Sequence, residues 1–478
     1  MLPYRRALAV ALVGFLTLPI APLAAQDVDF SDRFEDRTMR VDYFHTGSTG
    51  DELVSLDRVV SDGPWAGSRS RLEDPTSMGK YRYEVQDAET GELLFSRGFA
   101  SIYGEWETTD EAAEVHRTFH ESIRFPWPRR PVRVSLFKRD GTDSFAPLWS
   151  TGIDPGSRFV NPAERGPGGS VHTIFENGPA WEKVDLVLVG EGYTEEQSDK
   201  FLADARRLTD ALFAIEPFRS RRKDFNVRAV LIAAERPGVN RPQVGEYRRT
   251  PLSTEFNIFD SERYLLTLDN RALRDALSGV PYEFVEILVN EKQYGGGGIF
   301  NFQATVAVDT EFAEYVFVHE FGHHFAGLAD EYYTSDVAYQ TGGEARPEPW
   351  EPNVTALHDP SALKWAGLVE DGTPIPTPWD KDAYEEHARQ IRVERRALME
   401  RAAPESEFDE LFARQREIER ELLSSMRYAN RVGAFEGAMY EARGLYRSEI
   451  DCIMFTRADF FCDVCRRAIE RIIDLYAG

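Results

Sequence analysis

The sequence predicts an α+β protein in two parts: a β-sandwich-like N-terminal domain, then a domain of alternating strands and helices carrying a helical insertion. Three observations predict it. From about Phe30 to Trp149 short apolar/polar alternations are separated by turn residues, the pattern of half-buried strands. Beyond the Gly- and Pro-rich stretch Asn161 to Ser170, continuous apolar runs alternate with helical stripes, as in a sheet covered by helices. From about Trp379 to Met426 the chain is charged and helix-favouring.

The bulk properties agree. A chain of 478 residues has room for two or three domains with sizeable cores. Hydrophobic residues at 42% and aromatic residues at 12% exclude a disordered polymer. A formal charge of −25 argues against nucleic-acid binding, which needs a basic face, and is read as solubility. The chain opens MLPYRRALAVALVGFLTLPIAPLAAQ, with Arg5 and Arg6 before an apolar run and small residues at Ala24 and Ala25. This reads as a secretory signal peptide over residues 1–25. No other apolar run is long enough to span a bilayer. An exported product, periplasmic or extracellular, with no membrane span is expected.

In chain order, residues 27–155 form the expected sandwich. YRYEVQ places Tyr81, Tyr83 and Val85 on one face and Arg82, Glu84 and Gln86 on the other. DAETGE turns the chain, LLFSRGF returns it, and PVRVSLFKRDG repeats the pattern. His116 and His120 stand alone, so an accessory role is the default. The second domain, residues 171–478, begins with the buried-strand run VDLVLVG. Thr194 and Gln197 have capping-box spacing ahead of a helix striped by Phe201, Ala205, Leu208 and Leu212. FNVRAVLIAA, FVEILVN and QATVAVD supply three more strands. YGGGGIFN reads equally as the border of a cleft or as a flexible connector. Residues 379–426 read as a helical hairpin docked on this domain.

VFVHEFGHHFAGLADEYY carries the chemistry. His319 and His323 are four apart, hence on one helical face and able to share a Zn²⁺ ion. Glu320, beside them, suits a general base for water activated by the metal. Two histidines and a glutamate would be costly to bury on so apolar a helix without such a partner. Gly327 ends the helix and turns the chain, so Asp330 is the first choice for a third ligand and Glu331 the second. His324 points about a hundred degrees away from His323. The spacing resembles the metzincin pattern H-E-x-x-H-x-x-G-x-x-H/D, with one extra residue before the glycine. Glu436, in FEGAMY, is a more distant alternative. Met454, in DCIMF, fits a methionine turn beneath the metal, or simple core filling. The three cysteines, Cys452, Cys462 and Cys465, lie near the C-terminus. One disulfide between two of them is expected. A closed zinc site is not expected, for want of a second C-x-x-C or a later histidine.

Together HEFGHHFAGLADEYY, VDLVLVGEGYT, YGGGGIFN, FEGAMYEARGLYRSEIDCIMF and FCDVC resemble the IgA-peptidase family of secreted bacterial zinc metallopeptidases (peptidase family M sixty-four). The resemblance runs from about Arg37 to the C-terminus. It implies a metzincin-like zinc domain with His319, His323 and Asp330 as ligands, Glu320 as base and Met454 as the Met-turn residue. The implied activity is endopeptidase cleavage of protein or peptide substrates; immunoglobulin is not implied. Tyr440, Tyr446 and Arg447 would line the cleft or serve ordinary packing. A zinc exopeptidase or amidase, or a surface binding protein, are the competing expectations.

Overall fold

The computed structural model describes residues 30–334 and 347–477. The expected signal peptide lies outside the described residues. In the N-terminal part, β1 (Phe34–Ser48), β2 (Asp51–Ser61), β5 (Arg117–Pro128) and β8 (Val160–Asn161) form a sheet in the order β5-β1-β2-β8. β3 (Tyr81–Asp87), β4 (Leu93–Phe99), β6 (Val132–Arg139) and β7 (Phe145–Ile153) form a second, in the order β4-β3-β6-β7. Alternation along β3 buries Tyr81, Tyr83 and Val85 and leaves Arg82, Glu84 and Gln86 half-buried. These rings join Val41, Tyr43 and Phe125 of the other sheet in one apolar cluster. A face-to-face sandwich results.

The second part is built on a six-stranded sheet. β10 (Val184–Glu191), β11 (Phe225–Leu231), β14 (Phe284–Val289) and β16 (Gln303–Ala307) run parallel, in the order β16-β14-β10-β11. Their residues are uniformly buried, as strands covered on both faces must be. Two antiparallel strands close the edges, β9 (Ser170–Phe175) beside β11 and β15 (Gly296–Ile299) beside β16. A short ribbon pairs β12 (Thr254–Glu255) with β13 (Leu266–Thr267). The helix Ser198–Leu212 lays Phe201, Ala205, Leu208 and Leu212 on the sheet, and the capping box of Thr194 and Gln197 forms ahead of it.

The helix Ala313–Ala326 packs against β15 and β16 and against the C-terminal helix Asp463–Tyr476. Below it, β17 (Val354–Thr355), β18 (Phe435–Ala438) and β19 (Glu441–Arg447) form a small sheet in the order β17-β19-β18. The charged segment is a hairpin of two helices, Lys381–Glu400 and Glu405–Ser424. Ile391, Phe408, Leu411 and Phe412 pack around Phe312, so the hairpin braces the start of the helix Ala313–Ala326. The whole is α+β. Among the described residues no helix is long and apolar enough to cross a membrane.

Candidate active site

The helix Ala313–Ala326 is apolar on nearly every side and correspondingly buried. It stops where Gly327 takes a left-handed conformation (φ 56°), which an L side chain adopts only at a cost. The N–H of Gly327 bonds the carbonyl of His323 at 3.0 Å, and that of Leu328 bonds Gly322 at 3.3 Å. The reversal carries Asp330 back to the helix.

There three acceptor atoms converge. His319 Nε2 and His323 Nε2 lie 3.1 Å apart, and each is 3.2 Å from Asp330 Oδ1. The tautomers follow from the opposite ring nitrogens. His319 Nδ1–H donates to the Ile453 carbonyl at 2.9 Å, and His323 Nδ1–H to the Leu328 carbonyl at 2.6 Å. Both Nε2 lone pairs therefore face the carboxylate oxygen, an arrangement that repels itself unless a cation or proton sits among the three. The separations approach the edge of about 3.3 Å expected for a tetrahedral ion with bonds of about 2.0–2.1 Å. The residues present fit a zinc ion. In the protein alone, burial would lower the His323 pKa, but Asp330 outweighs it and pushes it up to about 9. Burial likewise opposes ionisation of Asp330, and the two histidines hold it well below the usual carboxylate range.

Asp330 is held from its far side. Its Oδ2 accepts from the Tyr440 hydroxyl, which also lies 3.3 Å from the Tyr332 hydroxyl. Tyr440 reaches it through a two-residue turn joining β18 to β19, with Met439 at φ 48° and Tyr440 at φ 64°. Such turns ordinarily take Asn or Gly. Here two large side chains bear the strain, a feature that clusters at functional sites. The Met439 N–H bonds the Asp330 carbonyl at 3.0 Å, so the turn and the Asp330 segment brace one another.

Glu320 lies on the same helix, half-buried, and desolvation raises its pKa against the pull of His319 and His323. Three of the four glycines, Gly296 to Gly298, are strand and not a flexible connector: β15 runs along the helix. A Cβ at Gly298 would sit 2.3 Å from the Glu320 carbonyl oxygen and 3.0 Å from His323 Cβ. Only glycine permits that approach. Met454 is fully buried, and its sulfur is 3.1 Å from where a Cβ on Gly322 would stand. It sits on a tight turn closed by Phe455 and Thr456 N–H bonds to the Cys452 carbonyl, at 2.9 and 3.0 Å.

The remaining sequence candidates fall elsewhere. Glu331 points away from His319 and His323 and is fully buried among the three cysteines. Glu436 is half-exposed and engages Lys381 and the Gly444 N–H. Tyr446 pairs within the small sheet. Arg447 is wholly buried, donates to the carbonyls of Gly437 and Ile450, and lies over Phe455 and Trp379. His324 packs into the core, donating from Nδ1 to the Ile299 carbonyl and accepting the Val285 N–H. The expected disulfide is not formed. All three cysteines are free, and Cys452 and Cys465 stand with their sulfurs 3.8 Å apart, facing Glu331. Sequence reasoning also missed Tyr332 and the carbonyls of Ile453 and Leu328, which carry no residue-type signal.

Two imidazoles and a carboxylate aimed at one point, with a second carboxylate alongside, are the layout of a hydrolytic metal centre. The family comparison agrees. Residues 173–473 match the family model described as IgA Peptidase M64, and residues 29–150 match that described as Peptidase M64 N-terminus. The chain belongs to this family, and it is a peptidase. No curated protein matches it significantly.

Proposed function

We propose that the protein is an exported zinc-dependent endopeptidase with a metzincin-like catalytic domain, acting on protein or peptide substrates. The carrying observation is the convergence of His319 Nε2, His323 Nε2 and Asp330 Oδ1 within 3.2 Å of one another, with both Nδ1 protons committed to carbonyls. These three residues would hold the metal. Zinc bound there supplies a Lewis acid that acidifies water and polarises the scissile carbonyl. Glu320 takes the proton from the attacking water and returns it to the leaving amine. Its partial desolvation raises its proton affinity above that of a free carboxylate, which suits a group that must accept and then donate. Tyr440 fixes Asp330 through Oδ2, leaving Oδ1 turned to the histidines.

The metzincin-like reading is supported by the antiparallel edge strand along the helix, the glycine reversal before Asp330, and Met454 on a turn beneath Gly322. It accommodates one extra residue before Gly327. Export is read from the N-terminal sequence around Arg5 and Arg6.

The test is cleavage of an internally quenched peptide blocked at both termini, with metal analysis of the same protein. Glu320→Gln is expected to keep the metal and lose activity by about 10²–10⁴-fold. His323→Ala is expected to lose activity and the metal ion held by the histidine site. A His323→Ala protein that binds as much metal as wild type, or a wild type inert on blocked peptides, sinks the reading.

A further inference from the structure

We propose that Cys452, Cys462, Cys465 and Glu331 form a second, structural zinc site. The four donor atoms come from three places in the chain and lie within 4.8 Å of one another, all fully buried. Their spacing is that of a coordination shell. A tetrahedral zinc with Zn–S bonds of about 2.3 Å sets sulfurs about 3.8 Å apart, and with a Zn–O bond of about 2.0 Å sets sulfur and oxygen about 3.5 Å apart. Cys452 Sγ and Cys465 Sγ are 3.8 Å apart, and Cys465 Sγ is 3.5 Å from Glu331 Oε1.

The surroundings suit thiolates. The Cys462 N–H points at Cys452 Sγ from 3.3 Å, and the Cys465 N–H at Cys462 Sγ from 3.5 Å. The Ser448 hydroxyl lies 3.2 Å from Cys462 Sγ. Cys462 caps the helix Asp463–Tyr476, whose N-terminal dipole favours negative sulfur. A second, independent sign comes from Glu331. Its Oε1 accepts from Asn353 at 2.9 Å, but its Oε2 is buried with no hydrogen-bond partner among the described residues. A disulfide would leave Glu331 Oε2 and one thiol buried and unengaged. A metal uses all four groups, and three sulfurs with one oxygen suit zinc.

The consequence, which rests on the proposed catalytic reading, is that this ion locks the peptidase centre together. Glu331 follows Asp330 directly. Cys452 precedes Ile453, whose carbonyl orients His319, and Met454, whose carbonyl accepts the Glu331 N–H at 2.8 Å. The zinc would tie the segment delivering the third ligand to the turn supporting the first.

The experiment is metal counting on the purified full chain, with cobalt reconstitution. Wild type is expected to bind about two ions, falling to about one in His323→Ala and about one in Cys465→Ser. Cobalt-loaded protein should show the near-ultraviolet thiolate-to-metal charge-transfer band, retained in His323→Ala and lost in Cys465→Ser. If Cys465→Ser does not fold, the band in His323→Ala still decides, because no thiol lies in the histidine site. Absence of that band in wild type and His323→Ala overturns the proposal. So does alkylation of the denatured, unreduced protein that finds one reactive thiol instead of three. Loss of metal by His323→Ala reports on the catalytic reading separately.

Discussion

Tyr440 is the residue whose role the tertiary structure changes most. Its hydroxyl is hydrogen-bonded to the carboxylate oxygen of Asp330 that faces away from the histidines, so it holds the proposed third ligand from behind. Partners of this kind typically contribute 10–100-fold in metal affinity or activity. Tyr440→Phe is expected to weaken zinc binding by about that factor in a chelator-competition titration, with the fold retained. An unchanged affinity would reduce Tyr440 to packing. Gly298 is constrained from the other side. An alanine there would drive its Cβ into the Glu320 carbonyl at 2.3 Å, backbone that cannot swing away. Gly298→Ala should therefore destabilise by about 1–3 kcal/mol in denaturant unfolding, as overpacking does, and lower activity by displacing β15 from the helix.

Among the elements, the three strands β2, β1 and β5 share one buried ionic junction. His45 on β1 lies 2.9 Å from Glu121 of β5 and 2.7 Å from Glu52 of β2, stacked on Tyr103. Burial would lower its pKa, yet the two carboxylates prevail and raise it from 6.5 to about 9. The folded state thus binds this proton more tightly than the unfolded chain does. Its contribution is whole below about pH 6.5 and is lost as pH rises through about 9, amounting to at most about 3 kcal/mol. Glu52 behaves oppositely. Burial would raise its pKa, but His45 and Lys138 bring it down to about 2, so its contribution holds above about pH 4.5 and fades as pH falls toward 2. Thermal melts of wild type should therefore lose stability between pH 6.5 and 9, and His45→Gln should flatten that slope. A slope identical in the variant would assign the pH dependence elsewhere.

At the scale of the whole molecule, the sandwich is fastened to the peptidase domain by charge and backbone. Arg40 is 1% exposed and reaches Asp62 at 2.7 Å and Asp42 at 2.9 Å within the sandwich, and Asp275 of the second domain at 2.5 Å. The Ala100 N–H bonds the Phe300 carbonyl at 2.9 Å, immediately after the glycine strand of the candidate active site. Removing Arg40 leaves Asp42, Asp62 and Asp275 with Arg58 and Arg124 as their remaining partners, a partial loss of compensation that costs up to about 3 kcal/mol. Arg40→Ala should lower the unfolding midpoint by a corresponding amount and separate one cooperative transition into two. If it leaves the midpoint where it was, the Arg40 cluster does not fasten the domains.

Much of this molecule is legible from order along the chain. Strand alternation marked the sandwich, and uninterrupted apolar runs marked the parallel sheet. Four-residue spacing placed His319 and His323 together, because periodicity and helix ends are local properties. What a residue meets across the fold is not local. YGGGGIFN stayed undecided until β15 was seen against the helix. Glu331 was an alternative to its neighbour Asp330 until adjacent side chains proved to point to opposite sides of the segment. The cysteines suggested a disulfide because their fourth companion stands 121 residues earlier than the first of them, where sequence spacing carries no sign of it. Periodicity along the chain was enough to mark the elements and the histidine pair of the helix motif. Which distant groups complete each cluster emerges from the folded chain, because loop closure brings together residues whose separation along the chain leaves no periodic trace.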